Sequence, residues 1–245
     1  MIKAVDQLRD SLFSLLYPTP CQVCGELVES YSDGIACREC WNKQVFFIEN
    51  TCVRCGLGFK DNPSHETAKE RVCNLCSDFE FSVSRSCGQY SGALRVSVLY
   101  LKTHPYICSR IKTSIREMYK RSASALSADV IIPVPLHAKR EKERGYNQAT
   151  IVARELAKAS RLRVDAWSFT RSKETDRHRA GLDSQDRSRD MKKAFAVSRP
   201  QAIENKTVLL VDDVFTTGAT LNECTRTLKA AGAVEVKVFT LARVI

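Results

Sequence analysis

The chain reads as an α/β protein: a parallel sheet flanked by helices, preceded by a small cysteine-rich module. Three observations predict this. Short apolar runs, such as Val208 to Val211 and "DVIIPVPL" at 129–136, alternate with segments of helical spacing, the pattern of βα units with right-handed crossovers. Eight of the eleven cysteines fall into four Cys-x-x-Cys pairs between Cys21 and Cys76. The charge divides at the same place: residues 1–80 hold 8 Lys/Arg against 12 Asp/Glu, and residues 81–245 hold 30 against 16. We therefore divide the 245 residues into an amino-terminal amphipathic helix (1–18), a paired-cysteine module (19–80) and an α/β domain (81–245).

In the first segment Ile2, Val5, Leu8, Leu12 and Leu15 recur at helical spacing. Asp6 and Asp10 stand where a secretory leader would be basic, no small-residue cleavage site follows, and no apolar run reaches membrane-spanning length. The expectation is a cytoplasmic protein without a membrane partner.

Cysteines in a reducing compartment need a use other than disulfides. Each Cys-x-x-Cys pair grips one side of a tetrahedral metal, so two pairs complete a four-thiolate site. The pairs are Cys21/Cys24, Cys37/Cys40, Cys52/Cys55 and Cys73/Cys76, and Gly25 and Gly56 follow two of them as tight knuckle turns require. Redox pairs or an iron–sulfur cluster are the competing uses; four regular pairs favour about two structural zinc ions in a double zinc ribbon. Spacing leaves open which pairs share a metal. Cys87, Cys108 and Cys224 are expected to be small buried residues.

The α/β domain begins with a strand near Arg85 to Tyr90, then a helix whose Ile107, Ile111, Ile115 and Met118 repeat at helical spacing. The 129–136 strand follows, then a helix from Gln148 to Ser160 with Asn147 as its N-cap. "VDAWSFTRS" at 164–172 reads as the next strand, and the long polar segment after it as a lid or binding loop. Val208 to Asp213 is a buried strand; Leu221, Cys224 and Leu228 mark its helix, and "VEVKVFTLARV" at 234–244 is the closing strand.

The string "VLLVDDVFTTGAT" carries the chemistry. In an open parallel sheet it would put Asp212 and Asp213 at a strand's carboxyl end, where ligands bind. Thr216, Thr217, Gly218 and Thr220 would then sit at a helix entrance, whose amides and hydroxyls suit a phosphate, with Gly218 allowing close approach. The two carboxylates need a different partner, such as paired sugar hydroxyls or a hydrated magnesium ion. An N-cap with an acidic turn explains only part of the string. A receiver domain needs more βα units than the 32 residues after Asp213 supply, and no Gly-Lys-Ser/Thr marks a nucleoside triphosphate site.

The string resembles the loop of type I phosphoribosyltransferases that binds phosphoribosyl pyrophosphate (PRPP), in which two acidic residues hold the ribose hydroxyls and the following loop the 5-phosphate. "DVIIPVPLHAKREKERGYNQA" and "YSGALRVSVLYLK" narrow the resemblance to the competence-associated ComF family and extend it, cysteine module included, over nearly the whole chain. The resemblance implies a type I phosphoribosyltransferase-like sheet, PRPP with magnesium, and Lys102 and Arg144 as cations for the diphosphate, with His137, Lys139 and Arg140 on the same loop as Arg144. The chain departs from the family at "THPYI" after Lys102 and at Arg179 and Asp190 in the lid, while Leu182, Arg187, Ala194 and Phe195 keep the family spacing.

Two functions follow as expectations. One is a PRPP-binding accessory protein handling single-stranded DNA in natural transformation, alongside competence-machinery proteins. The other is a working phosphoribosyltransferase transferring ribose 5-phosphate to a nitrogen acceptor, which needs positioning and charge more than acid–base groups. The basic α/β half permits a DNA groove, although a solvated surface and ordinary pyrophosphate cations account for the charge as well. Tyr106, Tyr119 and Tyr146 lie among the basic clusters as candidate stacking rings, each more simply a packed residue. His65 and His104 show no metal spacing and read as surface residues.

Overall fold

The computed structural model describes residues 16–47, 51–58, 71–76, 78–172 and 194–245. Most of the predicted amino-terminal helix, His65 and the lid positions Arg179, Leu182, Arg187 and Asp190 lie outside the described residues.

Among the described residues seven strands form: β1 (Val83–Gln89), β2 (Val130–Pro133), β3 (Arg163–Val164), β4 (Phe169–Arg171), β5 (Phe195–Val197), β6 (Thr207–Phe215) and β7 (Glu235–Arg243). Five make one parallel sheet in the order β1-β7-β6-β2-β3. The predicted 164–172 strand is not continuous. Its first residue closes the sheet as the end of β3, and its last residues turn away to pair with β5 as a separate antiparallel ribbon. The cause is Asp165, whose side chain accepts from the amides of Trp167 and Ser168 and so folds the chain into a turn between the two pieces.

The helices are α1 (Arg38–Asn42) in the cysteine module, then α2 (Gly92–Leu101), α3 (Ser109–Arg121), α4 (Ala138–Arg144), α5 (Gln148–Ser160) and α6 (Ala219–Ala230). The helix predicted from Ile107, Ile111, Ile115 and Met118 is α3; it begins two residues after Ile107, and all four side chains are buried. For α5, Asn147 Oδ1 accepts from the Ala149 amide at 2.9 Å while Nδ2 donates to the Val134 carbonyl, so one residue caps the helix and ties it to the end of β2. Three of these helices were not expected. The five residues of α1 are too few for a period to show, in α2 apolar residues crowd the sequence too densely for one, and α4 is a charged segment of about two turns with no buried residue.

Because β6 and β7 are central, both faces of each strand are covered, as their near-continuous apolar sequence requires. Leu209 and Val211 join one core with α2, α3 and α5; Val208 and Leu210 join a second with α6 and the β4–β5 ribbon. The cysteine module straddles the sheet edge. Cys21, Cys37, Cys40 and Trp41 belong to the first core, and Cys52, Cys55, Cys73 and Cys76 to the second.

The module also closes the outer edge of β1 by main-chain pairing. Phe47 donates to the Cys87 carbonyl at 3.1 Å, Gln89 to Val45 at 2.9 Å and Ser84 to Arg54 at 2.7 Å. Gly88 lies where this pairing is tightest: a Cβ there would meet the Val45 carbonyl oxygen at 2.5 Å. Gly88→Ala is therefore expected to lower stability by about 1–3 kcal/mol. Thermal unfolding should show a Tm fall of about 2–4 °C per kcal/mol in a chain of this size, and an unchanged Tm would contradict the close approach.

Candidate ligand cavity and metal centres

The eight paired cysteines gather into two tetrads, Cys21/Cys24/Cys37/Cys40 and Cys52/Cys55/Cys73/Cys76, with the four sulfurs of each within 4.8 Å of one another. Pairs one and two thus form one site and pairs three and four the other. In the first tetrad Cys21–Cys40 and Cys24–Cys37 are each 3.7 Å apart; in the second, Cys52–Cys76 is 3.5 Å and Cys55–Cys73 3.4 Å. These separations exclude disulfides, whose sulfurs are about 2 Å apart, and approach the edge of a tetrahedron with metal–sulfur bonds of about 2.3 Å. Gly25 and Gly56 have φ of 85° and 67°, the left-handed conformation of a knuckle turn. Cys87, Cys108 and Cys224 are buried as expected.

The main chain prepares one thiolate in each tetrad. Burial pushes the Cys21 thiol up, but the amides of Cys37, Cys24 and Val23 outweigh it and bring it down to about 6. Burial likewise raises Cys52, and the amides of Cys55 and Cys73 with the Cys76 thiol bring it down to about 6. Cys40 and Cys76 are pushed up by burial and by the neighbouring sulfurs. The donor set therefore fits a thiophilic dication such as zinc.

The second tetrad is bolted to the sheet. Arg243, buried in β7, donates to the Cys55 carbonyl at 2.6 Å and lies 4.2 Å over the ring of Phe215 in β6. Arg54 donates to the Cys76, Phe79 and Phe81 carbonyls. Phe79 and Phe81 stack on each other and meet Phe215 edge-on. The loop after β6 therefore packs directly against the metal module.

That loop frames a cavity of about 90 Å³, lined by Tyr90, Lys102, Asp212, Asp213, Val214, Thr216, Gly218, Thr220 and Leu221. It lies at the carboxyl end of β6, where α6 begins. Strand β6 runs two residues beyond the predicted Asp213, so the acidic pair is within the strand and only 5% and 3% exposed. Asp212 Oδ1 accepts from the Asp213 amide and Asp213 Oδ1 from the Val214 amide, each at 2.9 Å. Asp213 Oδ2 is buried without a hydrogen-bond partner. It faces Lys102 Nζ at 3.8 Å, beyond hydrogen-bond reach. Lys102 is brought there as the C-cap of α2.

Gly218 is required twice over. Its φ is 81°, and a Cβ would meet Phe79 at 2.6 Å and Phe215 at 2.8 Å. Two predicted residues are not in this cavity. Thr217 is exposed and its hydroxyl accepts from the Ala219 amide at the start of α6, so it serves the helix. Arg144 ends α4, because Gly145 with φ 81° stops that helix, and its guanidinium donates to the Gln148 side chain. Its loop still touches the neighbourhood, since Tyr146 Oη donates to the Leu101 carbonyl at 2.7 Å, next to Lys102. Tyr90 is the residue that sequence reasoning missed; it directly follows β1, the carboxyl-end position that strand topology marks for ligand contact.

Metal analysis of the purified chain is expected to return about two zinc ions, and Cys52→Ser about one. Chelation should unfold the module, because zinc in such sites supplies on the order of 10 kcal/mol of apparent binding energy. Eight freely reactive thiols in the native protein would contradict both centres.

The comparisons with known proteins agree with this geometry. A model of the phosphoribosyl transferase domain matches residues 110–245, and a model of the double zinc ribbon domain matches residues 12–78. Competence protein F of Haemophilus influenzae is 40% identical over 126 residues, covering 51% of this chain and 54% of that protein. DNA utilization protein YhgH of Escherichia coli is 33% identical over 124 residues, covering 51% and 53%. Competence protein ComFC of Bacillus subtilis is 26% identical over 221 residues, covering 80% and 85%. The chain thus spans about half the length of the first two relatives. No described helix is long and apolar enough to cross a membrane. With both modules matched and both built in the fold, the chain belongs to the phosphoribosyl transferase domain family, as a ComF-family member with a double zinc ribbon.

Proposed function

We propose that this protein binds PRPP with magnesium in the cavity at the end of β6 and serves single-stranded DNA handling in the cytoplasm. The observation that carries the first half is the buried Asp213 Oδ2, which accepts no hydrogen bond and has only the distant ion pair with Lys102 Nζ at 3.8 Å. A buried carboxylate oxygen without a donor is costly, and a ligand hydroxyl or a hydrated cation would satisfy it.

In this reading Asp212 and Asp213 hold the ribose hydroxyls, Thr216, Gly218 and Thr220 receive the 5-phosphate at the start of α6, and Lys102 neutralises the diphosphate. The cavity is small beside PRPP, so in this reading it takes one end of the ligand and the remainder extends outward. Asp212 and Asp213 are the oxygen donors that would serve magnesium, which supplies charge neutralisation between diphosphate and sugar. Thr217 and Arg144, proposed by resemblance, act one step back: the first starts α6, the second braces the α4–α5 turn beside Lys102. The DNA half draws on the relatives named for competence and DNA utilization and on the 30 Lys/Arg against 16 Asp/Glu in residues 81–245. An active transferase is the second reading, favoured by the matched transferase domain and by Tyr90 at the cavity wall.

Calorimetry with PRPP is expected to show binding that depends on magnesium. Asp212→Ala with Asp213→Ala should abolish it and Lys102→Ala should weaken it about tenfold, the scale of one charge-assisted contact. Undiminished affinity in the folded double variant would remove the assignment. Release of pyrophosphate on adding free bases would select the transferase reading.

A further inference from the structure

We propose that a groove beside the α4–α5 turn, which shares no lining residue with the β6 cavity, holds single-stranded nucleic acid, with Trp167 as its stacking platform. The inference rests on the DNA-handling half of the reading above and names the surface that performs it.

Trp167 is 75% exposed, more than any other large hydrophobic side chain among the described residues. An indole left in water on a mobile loop would be unremarkable, but the main chain that carries this one is fixed. Its amide donates to Asp165 Oδ1 at 2.9 Å, its carbonyl accepts from Ser198 Oγ at 3.1 Å, and the next residue is tied by both Asp165 oxygens. Burial would raise the Asp165 carboxyl, but the Ser168 hydroxyl and the two amides outweigh it, holding the group below its ordinary value. The turn therefore holds the main chain at Trp167 in place with the ring in solvent, so binding does not have to order that backbone.

Beside it opens a groove of about 400 Å³ whose walls include Pro135, Tyr146, Arg154 and Arg171. Arg154 stands exposed on α5, and Arg171, at the end of β4, lies 5.3 Å over the ring of Phe195. Residues 138–171, which build the groove, hold nine Lys/Arg against four Asp/Glu. A flat aromatic surface flanked by cations is what a single strand needs: the ring takes a base face, and the guanidiniums take neighbouring phosphates. Trp167 and Arg154 do not line the β6 cavity, so the two sites are separable by mutation. Of the tyrosines that sequence pointed to, Tyr146 is committed to Leu101, Tyr119 is half-buried against the core, and Tyr106, beneath Lys112, does not line the groove.

The test uses the intact zinc-loaded chain and a labelled oligothymidylate of about fifteen nucleotides. Trp41 is 3% exposed, so an intrinsic fluorescence change on titration reports Trp167. Quenching is expected in the wild type. Trp167→Ala should weaken binding about tenfold by anisotropy and Trp167→Phe less, while Arg154→Glu should weaken it and flatten the salt dependence. Zinc content and Tm verify that each variant is folded. If the wild type binds no oligonucleotide at low salt, the DNA-handling reading fails and this inference with it. If it binds, but without quenching and with undiminished affinity in Trp167→Ala and Arg154→Glu, the groove is the wrong surface. If Trp167→Ala instead dissociates an assembly of copies without altering oligonucleotide affinity, Trp167 belongs to a chain–chain contact and the assignment is overturned.

Discussion

Much of this structure depends on how the outer edge of β1 is closed. A parallel sheet needs helices on its faces, and its edge strands otherwise present unpaired amides and carbonyls. Here the metal module supplies the missing partners through Val45, Phe47 and Arg54. It can do so only because its two cysteine tetrads reach around the edge, one into each core. The thiolate sites thus hold together a piece of chain with too little apolar side chain to fold alone, and the folded piece completes the sheet.

From that edge the order propagates to the ligand cavity by a short path. Arg243 connects the Cys55 carbonyl to the face of Phe215, and Phe79 fills the space that a Gly218 side chain would take. The loop after β6 is therefore pressed between its own strand and the second tetrad. The acidic pair is held from the other side by its position in β6, and Lys102 by the end of α2, which Tyr146 ties to the α4–α5 turn. Charges that repel or lack hydrogen bonds are kept in place by groups that are themselves apolar or fully bonded, the condition for a preorganised binding site.

How much of this was legible in the sequence follows from the range of each signal. Buried strands announce themselves as apolar runs, so β6 and β7 form within two residues of their expected bounds and β2 as the first half of its expected run, and Asn147 identifies the start of α5 by local capping chemistry. The paired cysteines revealed two metal centres, but not their pairing, which is settled by the path of the chain between them. The acidic pair and threonine loop predicted the cavity because those groups are adjacent in sequence; Tyr90 and the absence of Arg144 from the lining are matters of tertiary placement. Helix α2 was hidden because it is apolar on most of its circumference, and the 164–172 segment because Asp165 breaks an otherwise strand-like run. Trp167 lies inside that expected strand, and only the turn made by Asp165 places it in solvent.

The edge closure has a consequence for how the chain is made. Strand β1 begins at Val83, yet its partner within the sheet, β7, begins at Glu235, so synthesis leaves β1 waiting for roughly 150 further residues. The metal module precedes β1 and can occupy its other edge as soon as both have left the ribosome. Zinc supply then acts as a folding input: a ribosome working in metal-poor conditions releases a nascent strand with both edges bare, ready to pair with a neighbouring copy.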